Sequence, residues 1–199
     1  MKRRTGIIIA LLLLGAAALL LSRSGGERSG PRPWKSPSAA ELQRFREEPG
    51  IRIDRTALQQ LKPGRVERVV DGDTVALIID GRAEKVRLLN INTPETVDPR
   101  RPVEEYGREA SAFLKSLLRP GTRVRLRPDV EERDRYGRLL LHLYLEDGTW
   151  VNALLVRAGY AQVMTVPPNV AAADFFRELQ ARAQRERTGL WQIPAYREP

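Results

Sequence analysis

Val69-Val70-Asp71-Gly72-Asp73-Thr74-Val75, followed by Val86-Arg87-Leu88-Leu89-Asn90-Ile91-Asn92-Thr93-Pro94-Glu95, is the stretch on which the fold turns. Aliphatic and β-branched runs at 65–70 and 74–79 flank Asp-Gly-Asp and predict two strands. Asp80-Gly81 is favourable hairpin chemistry, so residues 83–91 are expected to pair back as a third strand. Asp71 and Asp73 are two apart, which places both side chains on one face of an extended chain. Asp-Gly-Asp is also good turn chemistry on its own. The second polar group, at 92–95, makes it more than a turn, because the intervening strand can bring the two together. Such a cluster can hold a hard cation through oxygen ligands while Arg87 grips a phosphate. Strict alternation puts Arg87 and Asn92 on opposite faces, so the strand has to end before Asn92. Pro94, which removes a ladder donor and restrains its predecessor, supports that.

Working outward, residues 103–118 carry apolar positions at helical spacing and stop before Pro120-Gly121. Residues 122–127 alternate apolar with arginine, and 138–145 form a fifth strand closed by Asp147-Gly148. Residues 150–158 and 169–187 read as helices, the second ending before Gly189. Five strands with a helix between the third and fourth predict an α+β fold. The expected form is a five-stranded OB-fold β-barrel with about three helices.

Two arginines stand out by position. Arg87 lies between the polar clusters and Arg138 ends Asp134-Arg135-Tyr136-Gly137-Arg138. Planar guanidinium forks suit two phosphate oxygens and the more highly charged transition state of phosphoryl chemistry. Glu95 is the candidate general base, a carboxylate able to orient a water and take its proton.

These motifs, in this order, resemble the staphylococcal-nuclease-like (thermonuclease) family. Tyr106-Gly107-Arg108-Glu109-Ala110, Val151-Asn152-Ala153-Leu154-Leu155 and Gly189-Leu190-Trp191 extend the resemblance, which runs from about Gly64 to Trp191. It implies a nuclease on an OB-fold that hydrolyses DNA and RNA, with preference for single strands, using Ca2+ and leaving 3′-phosphates. By resemblance Asp73 and the Thr93 carbonyl are calcium ligands, and Asp71 acts by charge from just outside them. Asn92 falls where the family has a second carboxylate ligand. Its amide oxygen still suits calcium, but a lost charge weakens the site. Arg135 and Tyr136 fall on positions that bind a terminal phosphate and the nucleotide, although packing is an equal reading of Tyr136. Met164-Thr165-Val166-Pro167 replaces a pair of tyrosines, removing base stacking worth ~1–3 kcal/mol per base.

Bulk properties agree without deciding. A net charge of +9 favours a polyanionic partner, nucleic acid or an anionic membrane surface. The absence of cysteine excludes disulfides, thiolate metal sites and a cysteine nucleophile. The single histidine, His142, lies among leucines and excludes a histidine-rich zinc site.

Lys2-Arg3-Arg4 precede an unbroken apolar run from Gly6 to Leu21. Residues 1–22 are therefore expected to be a signal anchor or a cleaved signal peptide, outside the fold. The basic flank should stay in the cytoplasm, so the rest is expected to be extracytoplasmic, membrane-anchored or secreted. Residues 23–62 are expected to be a flexible linker with a possible short helix, started by Ser38-Ala39-Ala40-Glu41 at capping-box spacing. Residues 63–195 form the expected domain. Two other function classes compete with the nuclease: an OB-fold nucleic-acid-binding module with impaired catalysis, and an anchored envelope-associated interaction domain.

Overall fold

The structure, a computed structural model, describes residues 36–94 and 106–196. The expected anchor at 1–22 and the expected base Glu95 lie outside the described residues. Among the described residues no helix is long and apolar enough to cross a membrane.

The chain begins with two short helices, α1 (Ala39–Arg46) and α2 (Arg55–Gln59). Ser38 and Glu41 complete the capping box expected of them: the Ser38 N–H donates to Glu41 Oε2 at 2.8 Å and the Glu41 N–H to Ser38 Oγ at 3.3 Å. Asp54 caps α2 by accepting from the Ala57 N–H at 2.9 Å. These helices are not a tether. Phe45, Ile51 and Leu58 are buried in the main core, and the Trp150 N–H donates to the Ile51 carbonyl at 2.7 Å. The flexible span expected through residue 62 is thus docked from Ser38 onward, because its few apolar residues are spaced to reach the barrel.

Strands β1 (Lys62–Asp71), β2 (Thr74–Ile79) and β3 (Arg82–Leu88) form a meander. The β2–β3 turn uses Asp80 at φ 51° and Gly81 at φ 77°, the two left-handed residues a tight type I′ hairpin needs. Helix α3 (Gly107–Leu117) packs on β1; β5 (Arg123–Arg127) and β6 (Leu139–Leu145) follow. The barrel closes in the order β1-β2-β3-β6-β5, antiparallel except where β3 runs parallel to β6. Val66, Val75, Leu77, Val86, Val124 and Leu143 fill its interior. The expected α+β five-stranded barrel is therefore present, with α1 and α2 added to the three helices of the expected domain.

Helix α4 (Val151–Arg157) is buried along its whole length, and α5 (Ala173–Arg185) covers it. The α5 helix begins four residues later than the periodicity predicts, because Asn169 is used otherwise: its Oδ1 accepts from the Val130 and Glu131 N–H groups at 2.9 and 2.8 Å. Gly159 and Gly189 let two backbones touch. A Cβ on Gly159 would sit 2.2 Å from the Thr188 carbonyl oxygen, and the Leu190 N–H donates to the Gly159 carbonyl at 2.8 Å.

The third strand differs most from expectation. It ends at Leu88 instead of Ile91, since Asn90 takes φ 61° and turns the chain. Ile91–Asn92 then forms a short strand, β4, against β7 (Gln162–Val163). Asn152 holds this corner, donating to the Leu89 and Leu141 carbonyls and accepting from the Leu143 N–H at 2.9 Å.

Candidate active site

The register of β1 shifts between Val69 and Asp71, a bulge that re-aims the strand end where Asp71 and Asp73 sit. Both carboxylates are buried, as is Arg87 on the neighbouring strand β3, which pairs with β2 at Thr74. Asp73 Oδ2 receives the Thr93 N–H at 3.2 Å and an ion pair from Arg87 Nη2 at 3.0 Å; its Oδ1 receives the Thr74 hydroxyl at 2.9 Å. Asp71 Oδ1 accepts from the Gly72 N–H at 2.8 Å.

The turn at Leu89-Asn90 brings Asn92 back to Arg87, whose Nη2 donates to Asn92 Oδ1 at 3.2 Å. Arg87 Nη1 donates to the Leu88 and Ile91 carbonyls, each at 2.8 Å. One buried guanidinium thus faces one carboxylate and three neutral oxygens. Burial pushes its pKa down; Asp73 opposes this and the nearby Arg138 adds to it, leaving the group below its usual value.

Arg87 and Arg138 line one groove of about 520 Å3 together with Asp134, Arg135 and Tyr136. Asp134 is the organiser here. Its Oδ2 accepts from Arg138 Nε at 2.6 Å, and its Oδ1 accepts from the Tyr136 and Arg138 N–H groups at 2.9 and 3.0 Å. Burial works to raise the Asp134 carboxyl, but Arg138 and those N–H groups outweigh it and hold the pKa below the ordinary range. Tyr136 is 69% exposed, so it does not pack in a core. Its hydroxyl accepts from Arg135 Nη2 at 2.7 Å, and both Arg135 and Arg138 lie over its ring, at 4.8 and 5.6 Å. Met164 and Val166, both exposed, form the opposite, aliphatic wall.

The side-chain atoms beside Asp73 that could ligate a cation, on Asp71, Asn92 and Thr93, are oxygens. Thr93 Oγ1 is buried without a hydrogen-bond partner, and a Cβ on Gly72 would come within 2.6 Å of it, so glycine keeps that space open. Among the described residues no trio of His, Cys, Asp and Glu could hold a metal. A cation here would therefore combine the Asp73 carboxylate with neutral oxygens of Thr93 and Asn92, with the Asp71 carboxylate adding charge nearby, a set that fits a hard divalent ion.

Asp71, Asp73, Arg87, Asn92 and Thr93 are brought together, and Arg135, Tyr136 and Arg138 line the adjoining groove. Sequence reasoning missed Asp134 and Asn152 as positioning residues. Asp134 opens the quoted Asp-Arg-Tyr-Gly-Arg run, where Asx-turn chemistry was its available signal. His142 is buried against the edge of Trp150 at 4.9 Å, away from this cluster, as a structural residue.

The family described as staphylococcal nuclease homologues matches residues 85–193. A thermonuclease of Staphylococcus hyicus is 33% identical over 190 residues, 96% of this chain and 98% of that protein. A thermonuclease of Staphylococcus intermedius is 41% identical over 127 residues, covering 64% of this chain and 74% of its own length. The endonuclease YncB of Bacillus subtilis is 37% identical over 133 residues, 66% of this chain and 62% of that protein.

Proposed function

The chain belongs to the staphylococcal nuclease family, and from that premise we propose that it hydrolyses phosphodiester bonds of DNA and RNA in the groove between Arg87 and Arg138, with calcium held beside Asp73. The observation that carries this reading is the convergence of two arginines on one groove while one of them is ion-paired, at 3.0 Å, to a carboxylate of an oxygen-only cluster.

Asp73, Asn92 and the Thr93 carbonyl would hold the ion, and Asp71 would contribute charge. When bound, a divalent cation polarises a phosphoryl oxygen and makes an adjacent water more acidic. Arg87 exchanges its neutral acceptors for the phosphate, since three of its contacts are to oxygens that carry no charge. Arg138 enters from the other side, its fork aimed by Asp134. Together they neutralise the charge that grows on the phosphoryl group. Glu95, next in sequence to Pro94, takes the proton from the water that attacks phosphorus, as the bond from phosphorus to the 5′ oxygen breaks and that oxygen takes up a proton from solvent, leaving a 3′-phosphate. Arg135 and Tyr136 hold the neighbouring nucleotide against the aliphatic wall of Met164 and Val166. A strand that can splay its bases suits so open a groove, so single-stranded substrate is favoured.

The basic flank and apolar run of residues 1–22 support an extracytoplasmic location, tethered or secreted. There a site of reduced ligand charge would still fill with calcium, at the ~10⁻⁴–10⁻³ M dissociation constants of extracellular modules.

The deciding experiment incubates heat-denatured DNA with the full chain, with calcium, with a chelator, and with Glu95→Gln. Cleavage should require calcium, and Glu95→Gln should cut turnover by roughly 10²-fold or more. A folded protein that binds DNA in calcium without cutting it would make the domain a binding module instead.

A further inference from the structure

The seam where β5 closes the barrel against β1 carries an uncompensated charge cluster. Arg65 and Arg123 are direct cross-strand partners in the antiparallel ladder. Their neighbours Val66 and Val124 are buried, so both arginines stand on the outer face, and both are exposed. Directly opposite residues have Cβ atoms about 5 Å apart, and like charges there destabilise the pair. A third exposed arginine, Arg119, lies in the turn that leads into β5. The turn containing Arg119 is tied to the same point of β1, the Val66 N–H donating to the Thr122 carbonyl at 2.9 Å and the Gly121 N–H to the Val66 carbonyl at 2.8 Å.

Elsewhere on the barrel wall several cations have partners: Lys62 pairs with Asp80 at 2.6 Å, Arg125 with Glu146 at 3.1 Å and Arg133 with Glu84 at 2.9 Å. Arg82 and Lys85 on β3 have no ion pair among the described residues, but they face Ile79 and Ala76 across the ladder, not another cation. Arg65, Arg119 and Arg123 make no ion pair among the described residues. The nearby carboxylate, Glu67, faces Arg68 at 3.9 Å. Fold stability does not account for three unpaired arginines on one seam. A polyanion does.

We infer that this β1–β5 seam is an accessory phosphate-binding surface for single-stranded nucleic acid, engaging the same strand whose scissile phosphate lies in the Arg87–Arg138 groove. The inference rests on the proposed nuclease function and deepens it. Arg65 and Asp71 lie six residues apart on one strand, about 20 Å at the ordinary rise per residue. That span fits the ~4–16 nucleotides that single OB-folds accommodate. Guanidinium forks suit backbone phosphates, and because phosphates are read without bases, the surface adds affinity and processing of long strands but no sequence preference.

The test compares the full chain with Arg65→Ser/Arg119→Ser/Arg123→Ser, binding a ~30-nucleotide oligothymidylate, longer than one OB-fold site, in chelator across a salt series. A thymidine dinucleotide in calcium gives the turnover control. The triple variant should bind the long strand about tenfold more weakly, and its salt slope should fall by about 2, three phosphate contacts at ~0.7 each. Dinucleotide turnover should not change. Arg123→Glu controls for folding: it creates a cross-strand ion pair with Arg65, so its Tm should rise by ~1–4 °C while long-strand affinity drops. A purely structural role would move both the same way. Unchanged long-strand affinity and salt slope, with dinucleotide cleavage intact, would overturn the inference and leave the nuclease reading standing. Loss of wild-type dinucleotide cleavage in calcium would instead remove the reading on which it rests. If the variant keeps the long strand but loses binding to vesicles of phosphatidylserine and phosphatidylcholine, the seam serves a membrane and the inference is overturned.

Discussion

Arg87 and Arg157 are both buried arginines held by acidic groups, and the molecule uses them in opposite ways. Arg157, 1% exposed at the end of α4, is gripped by two carboxylates from distant parts of the chain. Its Nε donates to both oxygens of Glu48 at 2.8 Å, its Nη2 donates to both oxygens of Glu186 at 2.7–2.8 Å, and it lies 4.2 Å over the Phe45 ring. Burial alone would lower its pKa, but the two carboxylates outweigh burial and raise it. Arg87 touches one carboxylate and three neutral oxygens; burial first, with Arg138, outweighs Asp73, Asp134 and Asp71, and its pKa falls. Arg157 is clasped by two carboxylates directly, whereas Arg87 makes one ion pair and otherwise donates to uncharged oxygens, acceptors that a phosphate could replace.

The sharpest test puts lysine at both positions. Arg87→Lys keeps a charge but loses the fork, and turnover should fall by roughly 10²–10³-fold, the scale of removing one preorganised transition-state donor. Its thermal stability should shift by less than about 1 kcal/mol. Arg157→Lys should do the reverse. A compact ammonium lacks the fork that reaches both oxygens of Glu48 and of Glu186, so unfolding free energy should drop by about 2–3 kcal/mol, while folded enzyme turns over normally. Denaturant titrations and steady-state kinetics on the two variants decide it. Equal losses of stability at both sites would erase the distinction.

His142 supplies the third case, a buried group able to carry charge and given no counter-charge at all. It packs against Trp150 and Phe176, Arg127 faces it, and its Nδ1 has no hydrogen-bond partner. Asp129 lines the same small cavity but is engaged by the Ala171 N–H at 3.2 Å. Burial first, then Arg127, pushes the His142 pKa down to about 3 from an ordinary 6.5. The unfolded chain therefore binds a proton that the folded one refuses, so stability is full above pH 6.5 and is lost as pH falls from there towards about 3. The slope approaches ~1.4 kcal/mol per pH unit at most. His142→Phe should flatten the decline between pH 6 and 4, measured by urea unfolding; an unchanged slope would assign acid sensitivity to other groups.

The regular parts of this molecule were legible because their signals are local. Period-two runs, Asp80-Gly81 and the Ser38–Glu41 box each dictate their own geometry within a few residues. Of the candidate site, residue chemistry alone marked Asp73, Arg87 and the Asp-Arg-Tyr-Gly-Arg run, and the structure joins them through the Arg87–Asp73 pair and the groove that Arg87 shares with Arg138. What stayed hidden depends on contacts distant in sequence. Nothing local to Glu48 or Glu186 reveals that they meet on Arg157, 109 and 29 residues away. Docking of residues 38–60, and the diversion of Asn169 from helix α5 to the Val130 loop, have the same cause. Asn90 was missed for a subtler reason: a single left-handed residue inside an aliphatic run breaks a strand that composition alone would continue.

Asn92 is where the two kinds of arginine site come closest, and it gives the smallest expected effect. Its amide oxygen accepts from Arg87 at 3.2 Å, the place where a carboxylate would supply a second negative charge. Asn92→Asp would move Arg87 one step towards the condition of Arg157 while adding charge to the cation cluster. Ligand charge count tunes calcium affinity, so binding should tighten about tenfold, or ~1.4 kcal/mol, by calorimetry. The same carboxylate competes with substrate for Arg87, so turnover at saturating calcium should rise less than affinity does. Unchanged calcium affinity would remove Asn92 from the ligand set and leave it solely as a neutral acceptor that keeps Arg87 exchangeable.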